Sequence, residues 1–300
     1  MDQELVEFRP QISTMLPAGT TDERLVELWL HGLAATTQES YQIDIRAFFA
    51  FIQKPLREAH LGDLQGFVNA LHAQGYKEAT IARRLRAVKS LLTFASKTQY
   101  LVLNIGAALK VPKVRRRLHE RILTREEVLQ LFICEKNVRN RLILRMLYYS
   151  GMRVSELCQL CWKDLYAGLN ESGVVAIFGK GSKERHVPLK REVYEEFLSF
   201  RSEAGPDDPI FVSRGGGRSQ KKSGGHLEKT QVERIVRRAA RAAGIAKPVT
   251  PHFLRHSHGT HAAMNKAPAA VIQKTFGHES LETTMLYFDI SPEESSSFYL

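Results

Sequence analysis

Cysteine is scarce in this chain: Cys134, Cys158 and Cys161 are too few, and odd in number, for a disulfide framework, which fits a reducing compartment. No apolar stretch approaches the roughly 20 residues of a membrane helix, so a membrane-spanning role and a membrane partner are not expected. The amino terminus lacks the basic and then apolar pattern of a secretory signal, since Met1-Asp2-Gln3-Glu4 is acidic. The cytoplasm is the expected compartment. Metal-ligand patterns are missing too. Cys158-Gln-Leu-Cys161 is a lone CxxC within an apolar helix, which suits packing better than zinc or redox chemistry. His252, His256, His258 and His261 have no carboxylate or cysteine among them and enclose Arg255, whose charge repels a divalent cation. No metal and no cofactor is expected.

Positive charge is in excess. The net charge is +11, a surplus that implies an anionic partner, nucleic acid first. Residues 1–110 hold 12 Lys/Arg against 11 Asp/Glu, so residues 111–300 hold 31 against 21 and carry nearly all of it. At 300 residues the chain exceeds one average domain and two are expected. Between them lies a segment from Lys110 to Arg121 containing Pro112, Lys113, Arg115, Arg116 and Arg117. It reads as an extended basic linker, a strap across a phosphate backbone that gains affinity by releasing counterions. A plain solvated linker is the bland alternative.

Before the linker the pattern is helical throughout. Thr36-Thr-Gln-Glu39 reads as a capping box opening a helix with Tyr41, Ile45, Phe48, Phe49 and Ile52 on one face. Glu78-Ala-Thr80 starts another, with Ile81, Leu85, Val88 and Leu92 inward and Arg83, Arg84, Arg86 and Lys89 around the remainder. A solvated face ordinarily mixes signs, so this one is expected to approach DNA phosphates.

After the linker, a helical region runs from Leu123-Thr-Arg-Glu126 through Leu142–Tyr149 and breaks at Ser150-Gly151, with the next helix near Arg153. Residues 174–178 and 185–189 read as two strands of a hairpin whose turn carries Lys180 and Lys183. Residues 213–228 are Gly-rich and basic and are expected to form a mobile loop. Thr230-Gln-Val-Glu233 reads as a second capping box, leading a helix with Val232, Ile235, Val236, Ala239 and Ala243 inward. Arg234, Arg237, Arg238 and Arg241 lie outward, and Gly244 ends it.

Three strings carry the chemistry: Gly151-Met-Arg153-Val-Ser-Glu-Leu157, Pro251-His252-Phe-Leu-Arg255-His256, and Gly277-His278 followed by Thr283-Thr284-Met-Leu-Tyr287. With Lys180 in Gly179-Lys-Gly, their order and spacing resemble the tyrosine recombinase/phage integrase family, most closely its Xer-type branch. The resemblance covers nearly the whole chain. It implies a mainly α, two-domain protein: a helical, SAM-like core-binding bundle over 1–110, the linker over 111–121, and a catalytic domain over 122–300. The catalytic domain is expected to be mixed α/β, mostly helical, with a small antiparallel sheet, and by analogy the two domains form a C-shaped clamp on duplex DNA.

Swapping one phosphodiester for another needs a nucleophile, charge neutralisation and a proton for the leaving oxygen. The resemblance assigns the nucleophile to Tyr287, which gives a 3′-phosphotyrosyl link that conserves bond energy without ATP. Arg153 and Arg255 suit the non-bridging oxygens with their planar forks. Lys180 is the expected acid for the 5′-oxygen, with Lys183 as runner-up; His252 accepts the tyrosine proton and His278 donates to the phosphate. Glu156, one turn beyond Arg153, is expected to orient that arginine.

Expected partners are double-stranded DNA and a homo- or hetero-tetramer on it, with a second recombinase or a regulatory protein possible, in a nucleoid-associated setting. Two places differ from the Xer-like pattern: Phe288-Asp289 after the tyrosine, and a short tail ending Phe298-Tyr299-Leu300 where such proteins insert a helix into a neighbour. The alternatives are a mobile-element integrase or excisionase of the same family, a catalytically silent DNA binder, and a metal-dependent nuclease.

Overall fold

The computed structural model describes residues 15–17, 19–113, 119–169, 172–179, 183–213 and 225–288, with only the backbone of Thr36. Chain contacts divide the protein into two compact units, Met1–Arg116 and Arg117–Leu300.

The first unit is built from four helices, α1 (Asp22–His31), α2 (Ala35–Ile52), α3 (Leu61–Ala73) and α4 (Glu78–Lys97). Thr21 caps α1 by accepting a hydrogen bond from the Arg24 amide at 3.3 Å. The anticipated box at Thr36–Glu39 does not open α2, which begins at Ala35 with Ala34 at its N-cap and no side-chain cap. Good helix formers before the threonines let the helix run back past them. The apolar stripes close one core: Ile45, Phe48 and Ile52 of α2 and Ile81, Leu85, Val88 and Leu92 of α4 are buried, with Tyr41 and Phe49 packed against them.

The basic face of α4 is less free than its sequence suggests. Arg83 is bonded to the wholly buried Asp44 of α2, and Arg84 lies 3.6 Å from the same carboxylate with its guanidinium over the Tyr76 ring. Lys89 donates to the Leu109 carbonyl at 3.1 Å. Arg86 is the one of the four that is exposed. Burial raises the Asp44 pKa against the opposing pull of Arg83 and Arg84.

The second unit runs α5 (Arg125–Cys134), α6 (Val138–Ser150), α7 (Val154–Leu157), β1 (Leu165–Ala167), β2 (Gly173–Phe178), β3 (Glu184–Leu189), α8 (Arg191–Phe200), α9 (Lys229–Ala242), α10 (Pro251–Met264), α11 (Ala269–Phe276) and α12 (Leu281–Met285). The region expected to be helical from 123 to 149 is two helices, because Asn137 caps α6 by accepting from the Asn140 amide at 3.2 Å. The sheet is antiparallel in the order β1-β2-β3, with Val175 opposite Val187; the two strands of the hairpin were anticipated and the three-residue β1 was not. In β3 burial alternates, so Arg185, Val187 and Leu189 all point inward.

Helix α9 starts at Lys229 from an N-cap at Glu228, whose amide donates to Gln231 Oε1 at 3.0 Å. The expected Thr230/Glu233 box is therefore displaced by one two residues earlier. Its inward and outward residues fall as the periodicity implies, Ala243 being partly buried, and Gly244 adopts φ +70° just beyond the end. Residues 214–224 of the basic loop lie outside the described residues. Among the described residues no helix is long and apolar enough to cross a membrane, and no group of three His, Cys, Asp or Glu is placed to hold a metal ion.

Candidate active site

All of the site described here lies in the second unit. Helix α6 stops because Gly151 turns the chain at φ +60°, and a Cβ there would collide with the Phe276 ring. This residue needs to be glycine on both counts. The turn delivers Arg153 to the N-cap of α7, where its amide donates to Glu156 Oε2 at 2.7 Å and its Nη1 to Oε1 at 3.1 Å. The Arg153 side chain keeps 40% of its surface exposed. Glu156 also receives Arg185 Nη1 at 3.0 Å and Nη2 at 2.7 Å, while Arg185 Nε donates to the Thr275 carbonyl at 2.9 Å. Burial tends to raise the Glu156 pKa, but bonds from Arg185 and the Arg153 amide outweigh it, and the group ends below the ordinary range.

Helix α10 opens on Pro251, and the spacing of 3 and 4 puts His252, Arg255, His256 and Gly259 along one side. Arg255 is 4% exposed. Its Nη1 donates to the Gly151 carbonyl, and its Nη2 to the Phe276 carbonyl at 2.9 Å and to His278 Nε2 at 3.1 Å. Burial, then repulsion from Arg153, pulls the Arg255 pKa down to about 10. Because a guanidinium only donates, His278 Nε2 must accept, which leaves the ring proton on Nδ1 for Thr284 Oγ1 at 2.9 Å. His278 is thus neutral here, in keeping with a pKa held down to about 4 by burial and by Arg255.

Tyr287 is 4% exposed. Its ring stands edge-on to Phe276 at 5.3 Å and nearly parallel to His278 at 6.2 Å. The ring fits because α10 carries glycine beneath it: a Cβ on Gly259 would lie 2.9 Å from Tyr287 Cδ1. Burial raises the Tyr287 pKa, opposed by the charge and a hydrogen bond of Arg255. His256 Nδ1 lies 3.3 Å from Tyr287 Oη.

The structure therefore groups Arg153, Arg255, His278 and Tyr287 with Glu156. His252 is exposed, its ring 6.2 Å from that of His256, and it is His256 that lies within reach of the tyrosine oxygen. Lys180 lies outside the described residues, as do Arg115, Arg116, Arg117, Asp289 and the tail. The described edges of the hairpin turn reach the site: a Cβ on Gly179 would lie 3.7 Å from Glu156 Oε1, and Lys183 pairs with Glu279 at 3.0 Å. Lys113 is exposed in the first unit. Sequence reasoning missed His256, Arg185 and Thr284 as parts of the site. Arg185 had a signal, since it shares strand phase with the apolar Val187 and Leu189 and so had to point into the core.

Two arginines, neutral histidines and a tyrosine make a centre for holding a phosphate against a hydroxyl nucleophile. Residues 121–294 match the phage integrase family and residues 26–99 its N-terminal SAM-like domain. Two relatives are a tyrosine recombinase XerC of Xylella fastidiosa (strain M23), 31% identical over 92% of this chain and 95% of its own, and a tyrosine recombinase XerD of Oceanobacillus iheyensis, 31% identical over 89% and 92%. The fold also matches a lambda integrase dimer bound to a COC' core site, with TM-score 0.70, 20% identity and coverage of 92% and 79%. It matches XerH recombinase bound to difH substrate with TM-score 0.68, 22% identity and coverage of 89% and 81%. The chain belongs to the phage integrase family, with Xer tyrosine recombinases among its relatives.

Proposed function

We propose that this protein is a site-specific DNA recombinase that cuts and rejoins duplex DNA through a covalent bond to Tyr287. The observation that carries the reading is the convergence of Tyr287, Arg255 and His278 from three segments, beside Arg153. Attack by Tyr287 Oη on the scissile phosphorus forms a 3′-phosphotyrosine and breaks the bond to the 5′-oxygen, which leaves with a proton as a 5′-hydroxyl. Rejoining runs the same step backwards, so the phosphodiester energy is kept and neither ATP nor a metal ion is required. Arg153, the more exposed arginine, takes the non-bridging oxygens directly. Arg255 turns some of its donors from the Gly151 and Phe276 carbonyls to phosphate.

His278 takes part as a donor once Arg255 engages phosphate and releases Nε2. His252 stands at the exposed end of the site and contacts the incoming backbone. Lys180 is the acid for the 5′-oxygen, on the hairpin turn whose edges adjoin Glu156 and Glu279. Because Tyr287 is buried in the free protein, DNA binding has to uncover its oxygen. The exposed Arg86, Lys113 and the linker arginines 115–117 hold the flanking backbone, Arg83, Arg84 and Lys89 contribute where their internal partners allow, and strand exchange proceeds stepwise in a tetramer on DNA, in the cytoplasm. The domain limits follow: 1–110 for DNA grip, 111–121 as strap, 122–300 for catalysis.

The test is trapping on nicked suicide DNA carrying candidate core sites, in the presence of chelator. Wild type is expected to give a covalent band on a denaturing gel and Tyr287→Phe none. Loss of the wild-type band with chelator would refute the metal-free reading.

A further inference from the structure

We propose that Arg83 is a specificity-determining residue, an arginine that reads a guanine in the major groove from a fork held in place by Asp44. The proposal rests on the reading of the chain as a recombinase that grips duplex DNA, and deepens it by naming a residue that recognises sequence.

The first unit holds more cation at this point than its buried charge requires. Asp44 of α2 is wholly buried, and two arginines of α4 turn to it, Arg83 through Nη1 and Arg84 with Nε at 3.6 Å. One cation balances a buried carboxylate. The second leaves a positive charge over at a place that is not sealed, since the Arg83 side chain keeps 42% of its surface exposed. The two arginines are not equivalent. Arg84 is 13% exposed and its guanidinium lies 4.1 Å from the centre of the Tyr76 ring, so it stays with the carboxylate. Arg83 is the one that faces outward.

The direction of Arg83 is set from within. Its Nη1 donates both to Asp44 Oδ2 and to the Ser40 carbonyl, the latter at 3.3 Å. Because both acceptors take Nη1, the edge formed by Nε–H and Nη2–H remains as a two-pronged donor. Among the described residues no hydrogen bond occupies that edge. A two-pronged donor in a fixed direction matches O6 and N7 of guanine, whereas a phosphate contact asks only for a cation within reach. Arg86, three residues on, has the second character: it is exposed, and among the described residues no carboxylate pairs with it.

The experiment selects binding sites with the full-length protein from a library of randomised duplexes, then titrates the selected duplex by fluorescence anisotropy. Wild type is expected to select a G·C pair at one position of each half-site that Arg83→Ala does not select. Each selected guanine is then replaced in turn by 7-deazaguanine, which keeps its base pairing and lacks the N7 acceptor. At the Arg83 position this is expected to weaken wild-type binding roughly 10-fold and to leave Arg83→Ala binding unchanged. Arg83→Lys keeps the charge without the fork, and is expected to lose the preference for guanine while retaining the wild-type salt dependence. Asp44→Asn, which loosens the hold on Nη1, is expected to weaken the preference at that position and at no other.

An equal loss of Arg83→Ala binding on every sequence, with a shallower salt slope, would make Arg83 a phosphate contact and overturn the proposal. Unchanged selection by Arg83→Ala would make the Asp44 pair an internal brace and overturn it equally. The 7-deazaguanine series on wild type needs no folded variant, and indifference at every selected guanine would also refute base reading by Arg83. Failure of wild type to enrich any sequence would instead overturn the site-specific reading beneath.

Discussion

The four histidines of α10 look alike in sequence and are separated by what each ring touches. His258 donates from Nδ1 to the Tyr148 carbonyl at 2.7 Å and packs its ring 5.3 Å from that of Phe276. His261 shares a hydrogen bond with the Tyr148 hydroxyl at 2.9 Å. These two fasten α10 to α6, while His252 and His256 face the tyrosine side. The histidine-rich stretch thus serves packing at His258 and His261.

Burial pushes the His258 pKa down to about 4, against about 6.5 in an unfolded chain. Between those values the unfolded state binds the extra proton. Its contribution is therefore complete above about pH 6.5 and is lost as pH falls toward 4. Urea unfolding is expected to show lower stability at pH 5 than at pH 7. His258→Asn, which keeps a donor near Nδ1 and does not titrate, should lose less over that range, by about 2 kcal/mol. An unchanged pH dependence in that variant would assign the loss to other groups.

At the scale of elements, three short pieces of chain are tied at one carboxylate. Glu156 joins α7 to β3 through Arg185, and Arg185 reaches on to Thr275 in the last turn of α11, two residues before Gly277. Gly277, at φ +61°, passes so close that a Cβ would meet Arg185 Cδ at 3.3 Å. Glu156→Ala leaves two arginines facing each other without their shared anion. It is expected to destabilise the protein by about 3 kcal/mol in denaturant unfolding and to slow trapping by disturbing Arg153 and His278 together. Glu156→Gln, which keeps one acceptor, should be milder on both; equal stability of Glu156→Ala and wild type would remove the brace.

Element identity was legible where periodicity was strong, as in α2, α4, α9 and the β2–β3 hairpin. Starts were less so. Of the two capping boxes read from the sequence, one does not form, since α2 starts at Ala35 without a side-chain cap, and the other gives way to Glu228 and Gln231 two residues earlier. The brace itself was half visible: the Arg153–Glu156 spacing could be read, whereas the third partner comes from a strand 29 residues away.

For the whole molecule the decisive quantity is the +11 charge and its distribution. Binding of an anionic polymer by such a surface is driven by counterion release and weakens steeply with salt. The structure sorts the cations within that total. Arg83 and Arg84 neutralise a buried aspartate, whereas Arg86 is exposed. Fluorescence anisotropy on duplex DNA is expected to give a log K against log salt slope that becomes shallower by about 0.9 in Arg86→Ala. An unchanged slope would take Arg86 off the DNA face.

Sequence carries the inventory and the class: helical units by periodicity, the hairpin by alternation, and the family by the resemblance of its motifs, all of which are properties of neighbours along the chain. Packing chose the partners. It placed His256 rather than His252 at the tyrosine oxygen, aimed His278 Nε2 at Arg255, and withdrew Arg83 into a pair with Asp44. Those choices depend on distances between atoms brought together by packing, and a hydrogen bond of about 3 Å is made or lost by shifts far smaller than anything a residue pattern encodes.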